Sequence, residues 1–180
     1  MTILKRNIQS ISSRTRGFTL VEVLVSLVIL AIGLLGIAKL MLFSSHANDS
    51  AYLRSQATAL AYEILDNMRA NKTGAIAANY DTALATAPAV PGALCEAVGA
   101  CTTPLQVALY DVYKWKLRLN ANSGLPPPGA LPNGQGSVAT ALVGSQTTVT
   151  IIVQWDDSVA QGTLNVGGLA QQNVTLETLL

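Results

Sequence analysis

Residues 16–43 read RGFTLVEVLVSLVILAIGLLGIAKLMLF. Val23–Ala38 carries no charge, and the apolar run, taken back to Phe18 and on to Phe43, is 26 residues long. About 20 predominantly apolar residues cross the hydrocarbon core of a bilayer, so this stretch predicts a membrane-spanning helix. The residues before it hold Lys5, Arg6, Arg14 and Arg16 and no acid. Cations on that flank, under the positive-inside rule, place the N-terminus in the cytoplasm and the remainder of the chain across the membrane.

One residue does not suit a plain span. Glu22 stands just inside the run, and an acid in mid-span costs about 2.5–3.5 kcal/mol, less near the edge. Three readings compete. An ordinary secretory signal has a shorter apolar core with a cleavage site behind it, which Ser45-His46-Ala47 matches only weakly. An ordinary anchor tolerates Glu22 as an accident of the membrane edge. A third reading cuts the chain on the cytoplasmic side, between Gly17 and Phe18. The new amine of Phe18 is then a positive charge, and Glu22 lies in the first helical turn, where a carboxylate suits the helix dipole and the free N–H groups. When such helices bundle, the amine of a neighbouring copy can neutralise Glu22. Costly alone and satisfied in an assembly, the residue reads as a docking device.

The run RGFTLVEVLVSLVILAIGLLG resembles the class III signal and N-terminal helix of type IV pilins and type II secretion pseudopilins. The resemblance implies that Gly17 is the cleavage residue for a prepilin peptidase/methylase, Phe18 the N-methylated residue and Glu22 the assembly glutamate. It also implies an inner-membrane assembly platform, other minor pilins and the major pilin as partners, besides membrane lipid. The chain departs from the family in having Lys39 where a proline often stands.

Past the membrane the helical pattern continues. Ala57, Leu60, Ala61, Ile64, Leu65 and Met68 recur at helical spacing as one apolar stripe, and no proline occurs before Pro88. A single helix from Phe18 to about Asn71 is expected, about 80 Å long, with Gly74 as its stop signal. Residues 74–103 read as a long connection. Thr103 as cap and Pro104 at the first helical position then favour a helix through about Leu119, with Leu105, Leu109, Val112, Trp115 and Leu119 on one side; the alternation of Tyr113, Trp115, Leu117 and Leu119 with charged residues leaves a strand as the competing pattern. Residues 122–136, rich in proline and glycine, read as loop. Ser137–Val143 and Gln146–Trp155 flank the turn Gly144-Ser145, with Thr147, Val149, Ile151, Val153 and Trp155 on one face. Gly162–Val166 and Asn173–Leu179 are further strand candidates. The expected fold is α+β and pilin-like, one long N-terminal helix packed on a small antiparallel sheet. The expected parts are a cleaved leader 1–17, a membrane or filament-core helix 18–43, its amphipathic continuation 44–71, and a head 72–180.

Cys95 and Cys101 follow the membrane segment, so an oxidising compartment makes a local disulfide the leading reading, with two buried thiols as the alternative. The net charge of +1 conceals an asymmetry: residues 18–180 hold seven basic and ten acidic side chains. No basic stripe follows the leader, so no direct nucleic-acid contact is expected. No metalloprotease, phosphate-loop or serine-hydrolase motif occurs, so neither an enzyme nor a cofactor is implied. His46 reads as a surface residue, Asp156-Asp157 as a solvated turn with cation binding as the sharper alternative, and Trp115 and Trp155 as core. Asp111 with Trp115, Leu131-Pro132-Asn133-Gly134 and Trp155-Asp156 resemble short motifs of PilV-type minor pilins. That resemblance implies a structural subunit near the tip of a type IV pilus that helps start its assembly and supports motility, adhesion or DNA uptake, held in the bacterial inner membrane first and in the extracellular pilus afterwards. The alternatives are a minor pseudopilin of a type II secretion system and a membrane-tethered periplasmic binding domain.

Overall fold

The computed structural model describes residues 17–97, 99–120, 130–158 and 171–180. Its first element, α1, is a helix of 51 residues, Leu20–Ala70. Contacts divide the chain into two compact units that meet at Leu42 and Phe43. In the first unit no described residue of α1 is buried. In the second, the buried residues of α1 are Ala57, Leu60, Ala61, Ile64, Leu65 and Met68, the stripe that helical spacing predicts.

The helix ends at Ala70, beside the expected end at about Asn71. Asn71 caps a short second helix, α2 (Lys72–Ile76), by accepting the N–H of Gly74 at 3.3 Å. Gly74 therefore lies inside a helix, buried, and a side chain there would run into Asn71. The Asn71 amide also donates to the Pro104 carbonyl at 2.8 Å and to the Tyr80 hydroxyl at 3.3 Å. Tyr80 is fully buried and donates to Asp111 at 2.6 Å. Burial holds the Tyr80 hydroxyl well above the ordinary phenol value, and the Asp111 bond adds to this. Burial also raises the Asp111 carboxyl, against the pull of the Tyr80 bond.

A third helix, α3 (Pro104–Leu119), replaces the strand alternative for this region. Its start is a capping box: Thr103 accepts the Gln106 N–H at 3.2 Å, and the Gln106 side chain accepts the Thr103 N–H at 3.2 Å. The buried face is Ala108, Trp115, Lys116 and Leu119. Leu105 and Leu109, expected inward, remain nearly half exposed. Trp115 donates its indole N–H to the Leu60 carbonyl of α1 at 2.8 Å, joining the two helices through the core. Lys116 is buried. Its ammonium donates to the carbonyls of Gly136 (2.6 Å), Ala83 (2.7 Å) and Leu84 (3.3 Å).

Three antiparallel strands follow in the order β1-β2-β3: β1 Gln135–Val143, β2 Gln146–Asp156 and β3 Gln171–Leu179. Strands β1 and β2 turn through Gly144 and Ser145, where Gly144 takes a φ of 65°, the left-handed region that glycine enters freely. The β2 face Thr147, Val149, Ile151, Val153 and Trp155 is buried as alternation predicts, and closes one core with the α1 stripe and α3. Thr82 pairs with Val138 along the outer side of β1. The expected strand Gly162–Val166 lies outside the described residues, as do most of the loop 122–136 and most of the leader.

The segment Leu131–Gly136 forms the joint between α3 and the sheet. Leu131 donates to the Leu119 carbonyl at 3.1 Å, and Pro132 accepts the Asp156 N–H at 2.9 Å. Asn133 takes a φ of 49°. A Cβ on Gly134 would collide with the Leu119 carbonyl, and one on Gly136 with the Trp115 ring. Gly134 faces backbone that no rotamer change relieves, so Gly134→Ala is expected to lower the unfolding free energy of the detergent-solubilised chain by about 2–3 kcal/mol, read by urea titration; an unshifted midpoint contradicts this packing. Burial also lowers the Lys116 ammonium from its ordinary value of 10.5 to about 8. Between those values the unfolded chain holds a proton that the folded chain has released, so this group makes stability rise with pH there. The unfolding midpoint of the parent chain, relative to that of Lys116→Met, should climb between pH 8 and 9.5; parallel profiles would show that Lys116 does not titrate in this window.

Candidate functional site at the N-terminal turn

Thr19 closes the first turn of α1. Its hydroxyl accepts the Glu22 N–H at 3.3 Å, and its carbonyl accepts the N–H groups of Glu22 (3.1 Å) and Val23 (3.3 Å). Sequence reasoning had not singled out Thr19, although a hydroxyl three positions before an acid is the familiar signal of a helix start. Glu22 is thereby fixed in the first turn of a long dipole, where its charge is favourable. Ser26, one turn on, donates to the Glu22 backbone carbonyl at 2.7 Å, which leaves its hydroxyl directed along the helix rather than outward.

The surroundings of this turn are apolar and open. Phe18 is 82% exposed, and the large apolar residues from there to Phe43 are all at least half exposed. The most apolar 18-residue window of α1 has none of its residues buried. A helix apolar on every side belongs in lipid or among other apolar helices, and this one is long and apolar enough to cross a membrane. Three ion pairs occur among the described residues, Arg69–Asp66, Lys114–Glu96 and Arg118–Glu63. None involves Glu22 or Lys39, the two charges on the apolar part of α1. A Cβ on Gly17 would meet no atom within 4 Å, so the packing of the described residues does not call for glycine at that position.

Residues 12–38 match the family model of the prokaryotic N-terminal methylation motif. Over this stretch the chain is similar to the proteins that carry that motif. The match takes in Gly17, Phe18 and Glu22 and ends one residue before Lys39. Comparison with curated proteins gave no match, and comparison with solved structures gave none. The α+β fold, one long N-terminal helix and a small antiparallel sheet, agrees with a pilin-like chain.

The remaining candidates in the head are structural. Cys95 and Cys101 form a disulfide with their Cα atoms 5.2 Å apart. The loop they close is held to α3 by Glu96, which accepts from the Tyr110 hydroxyl at 3.1 Å and pairs with Lys114 at 3.6 Å. Asp156 and Asp157 do not converge. Asp156 accepts the Ser158 N–H at 2.9 Å, the main cause of its lowered carboxyl pKa, whereas Asp157 is buried and accepts from Ser50 of α1 at 2.7 Å. Among the described residues no group of three His, Cys, Asp or Glu side chains stands close enough to hold a metal. Of the motif residues, Trp115, Leu131–Gly134 and Asp156 meet in the joint described above, with Asn133 donating to Asp156 at 3.4 Å, whereas Asp111 accepts from Tyr80.

Proposed function

We propose that the chain is a minor pilin of a type IV pilus, a structural subunit that helps start pilus assembly with other minor pilins at or near the tip. Residues 1–17 are its leader. A prepilin peptidase/methylase cuts between Gly17 and Phe18 and methylates the new Phe18 amine. Residues 18–43 hold it in the inner membrane and later in the fibre core, 44–71 continue that helix, and 72–180 form a head carried in the periplasm and then outside.

The observation that carries this reading is Glu22. It is a carboxylate on an exposed apolar helix with no ion-pair partner among the described residues, inside a matched methylation motif. A charge in that setting is supported by another chain or is a standing cost. Gly17 agrees with it, since a residue whose glycine the described packing does not call for is a natural mark for an outside enzyme. The disulfide-bearing head and the Leu131–Gly134 joint favour a PilV-type subunit over a secretion pseudopilin.

N-terminal sequencing of the envelope form should begin at methylated Phe18, and Gly17→Val should leave the unprocessed chain; an envelope form that still begins at Met1 defeats the reading. Glu22→Ala should be cut normally yet recover far less of the chain in sheared pili and in pull-downs with partner pilins. Unchanged incorporation would remove the assembly role of Glu22, and recovery with secretion pseudopilins alone would move the chain to that system.

A further inference from the structure

The apolar run of α1 is longer than a bilayer needs, and its two charges are placed symmetrically within it. Glu22 lies four positions after Phe18, and Lys39 four positions before Phe43. A hydrocarbon core of about 30 Å takes about 20 residues of upright helix. The uncharged stretch between the charges, Val23–Ala38, covers only about 24 Å. Both charges therefore cannot stand outside the core at once, and tilting the helix increases the shortfall.

We propose that this helix occupies two depths in the membrane, about five residues apart, and that Lys39 defines the outer one by bringing its ammonium to the lipid phosphates of the far leaflet. The inference rests on the membrane-spanning part of the function proposed above. At the inner depth Val23–Phe43 fills the core. Glu22 then stands at the cytoplasmic edge, and Lys39, one turn inside the far edge, reaches the headgroups along its four-carbon stem. At the outer depth Phe18–Ala38 fills the core. Lys39 then lies among the phosphates, and Glu22 is one turn inside and in need of a cation. The glutamate stem is shorter than that of lysine, so a lone subunit rests at the inner depth. Neutralising Glu22 releases the helix outward by about 7.5 Å.

The structure supports the freedom this requires. Helix α1 runs unbroken through Gly33, Gly36 and Lys39, and a Cβ at either glycine would meet nothing within 4 Å. Lys39 is exposed, and the positions three and four residues away, Leu35, Gly36, Leu42 and Phe43, offer it no acid. The family match ends before it, so the motif assigns it no role.

Single cysteines at Ala38, Leu40, Leu42, Ser44 and Ala47, labelled in spheroplasts with a membrane-impermeant maleimide, read the far boundary directly, since Cys95 and Cys101 are already paired. The parent chain should label from Ser44 outward. Glu22→Gln should extend labelling inward to Leu42 and Leu40 but not to Ala38, a shift of about five residues in the boundary. Adding Lys39→Leu should withdraw Leu40 and Leu42 from the reagent again. A boundary that stays put in Glu22→Gln, as when the bilayer thins to fit both charges, overturns the proposal, and so does an extension that survives Lys39→Leu. If every position labels freely, the helix does not cross the membrane, and the membrane part of the proposed function falls with the inference.

Discussion

The stripe Ala57, Leu60, Ala61, Ile64, Leu65 and Met68 is the surface on which the head is assembled. Helix α3 and the sheet each present one apolar face, and these faces close on that stripe and on one another. The Trp115 indole bond to the Leu60 carbonyl adds direction to a contact that burial alone would leave free to slide. Gly136 leaves room for the Trp115 ring, and Gly134 lets Leu131–Gly136 pass close to the end of α3. Each of these features makes sense only because α1 supplies a fixed, one-sided apolar face over its last turns. Earlier along the same helix the apolar residues face every direction, so the character of α1 changes from all-round to one-sided without any break in its hydrogen bonding.

What could be read from the sequence divides by the range of the interactions. The α1 stripe and the β2 alternation were visible because burial repeats with the local period of the element. The start of α3 was visible because its cap is made of neighbours, Thr103, Pro104 and Gln106. The errors lie where a distant partner decides. Leu105 and Leu109 have the right spacing for a core face, but no described element covers them fully. Lys116 is buried because carbonyls from two distant segments, Ala83-Leu84 and Gly136, converge on it. The end of α1 near Asn71 is as expected, but it is set by the Asn71 side chain, with partners at Gly74, Tyr80 and Pro104, and Gly74 lies within the next helix.

The N-terminal site was more legible than the head for a related reason. Glu22 drew attention as a charge in apolar surroundings, and the structure gives it no ion-pair partner among the described residues. Structural causes are therefore few there, and a pattern of residues without one points outside the chain. In the head the short motifs that resembled minor pilins have structural causes in plenty: a left-handed Asn133, two glycines in close quarters, and a bond between Asn133 and Asp156. They describe how the head is closed, and Thr19, whose only sign was its place three residues before Glu22, describes how the site begins.

The order in which the ribosome delivers these parts has a consequence for how the head closes. The greasy side of α1 is made early, and the strands that cover it come from the last third of the sequence, so the nascent chain holds a sticky helix for as long as synthesis takes to catch up. The disulfide is of no help in that interval, because its short loop is fastened to α3 and does not bridge the early and late halves. A substitution that slows closure of the sheet would then be felt first as degradation during biogenesis, before any defect in the folded chain.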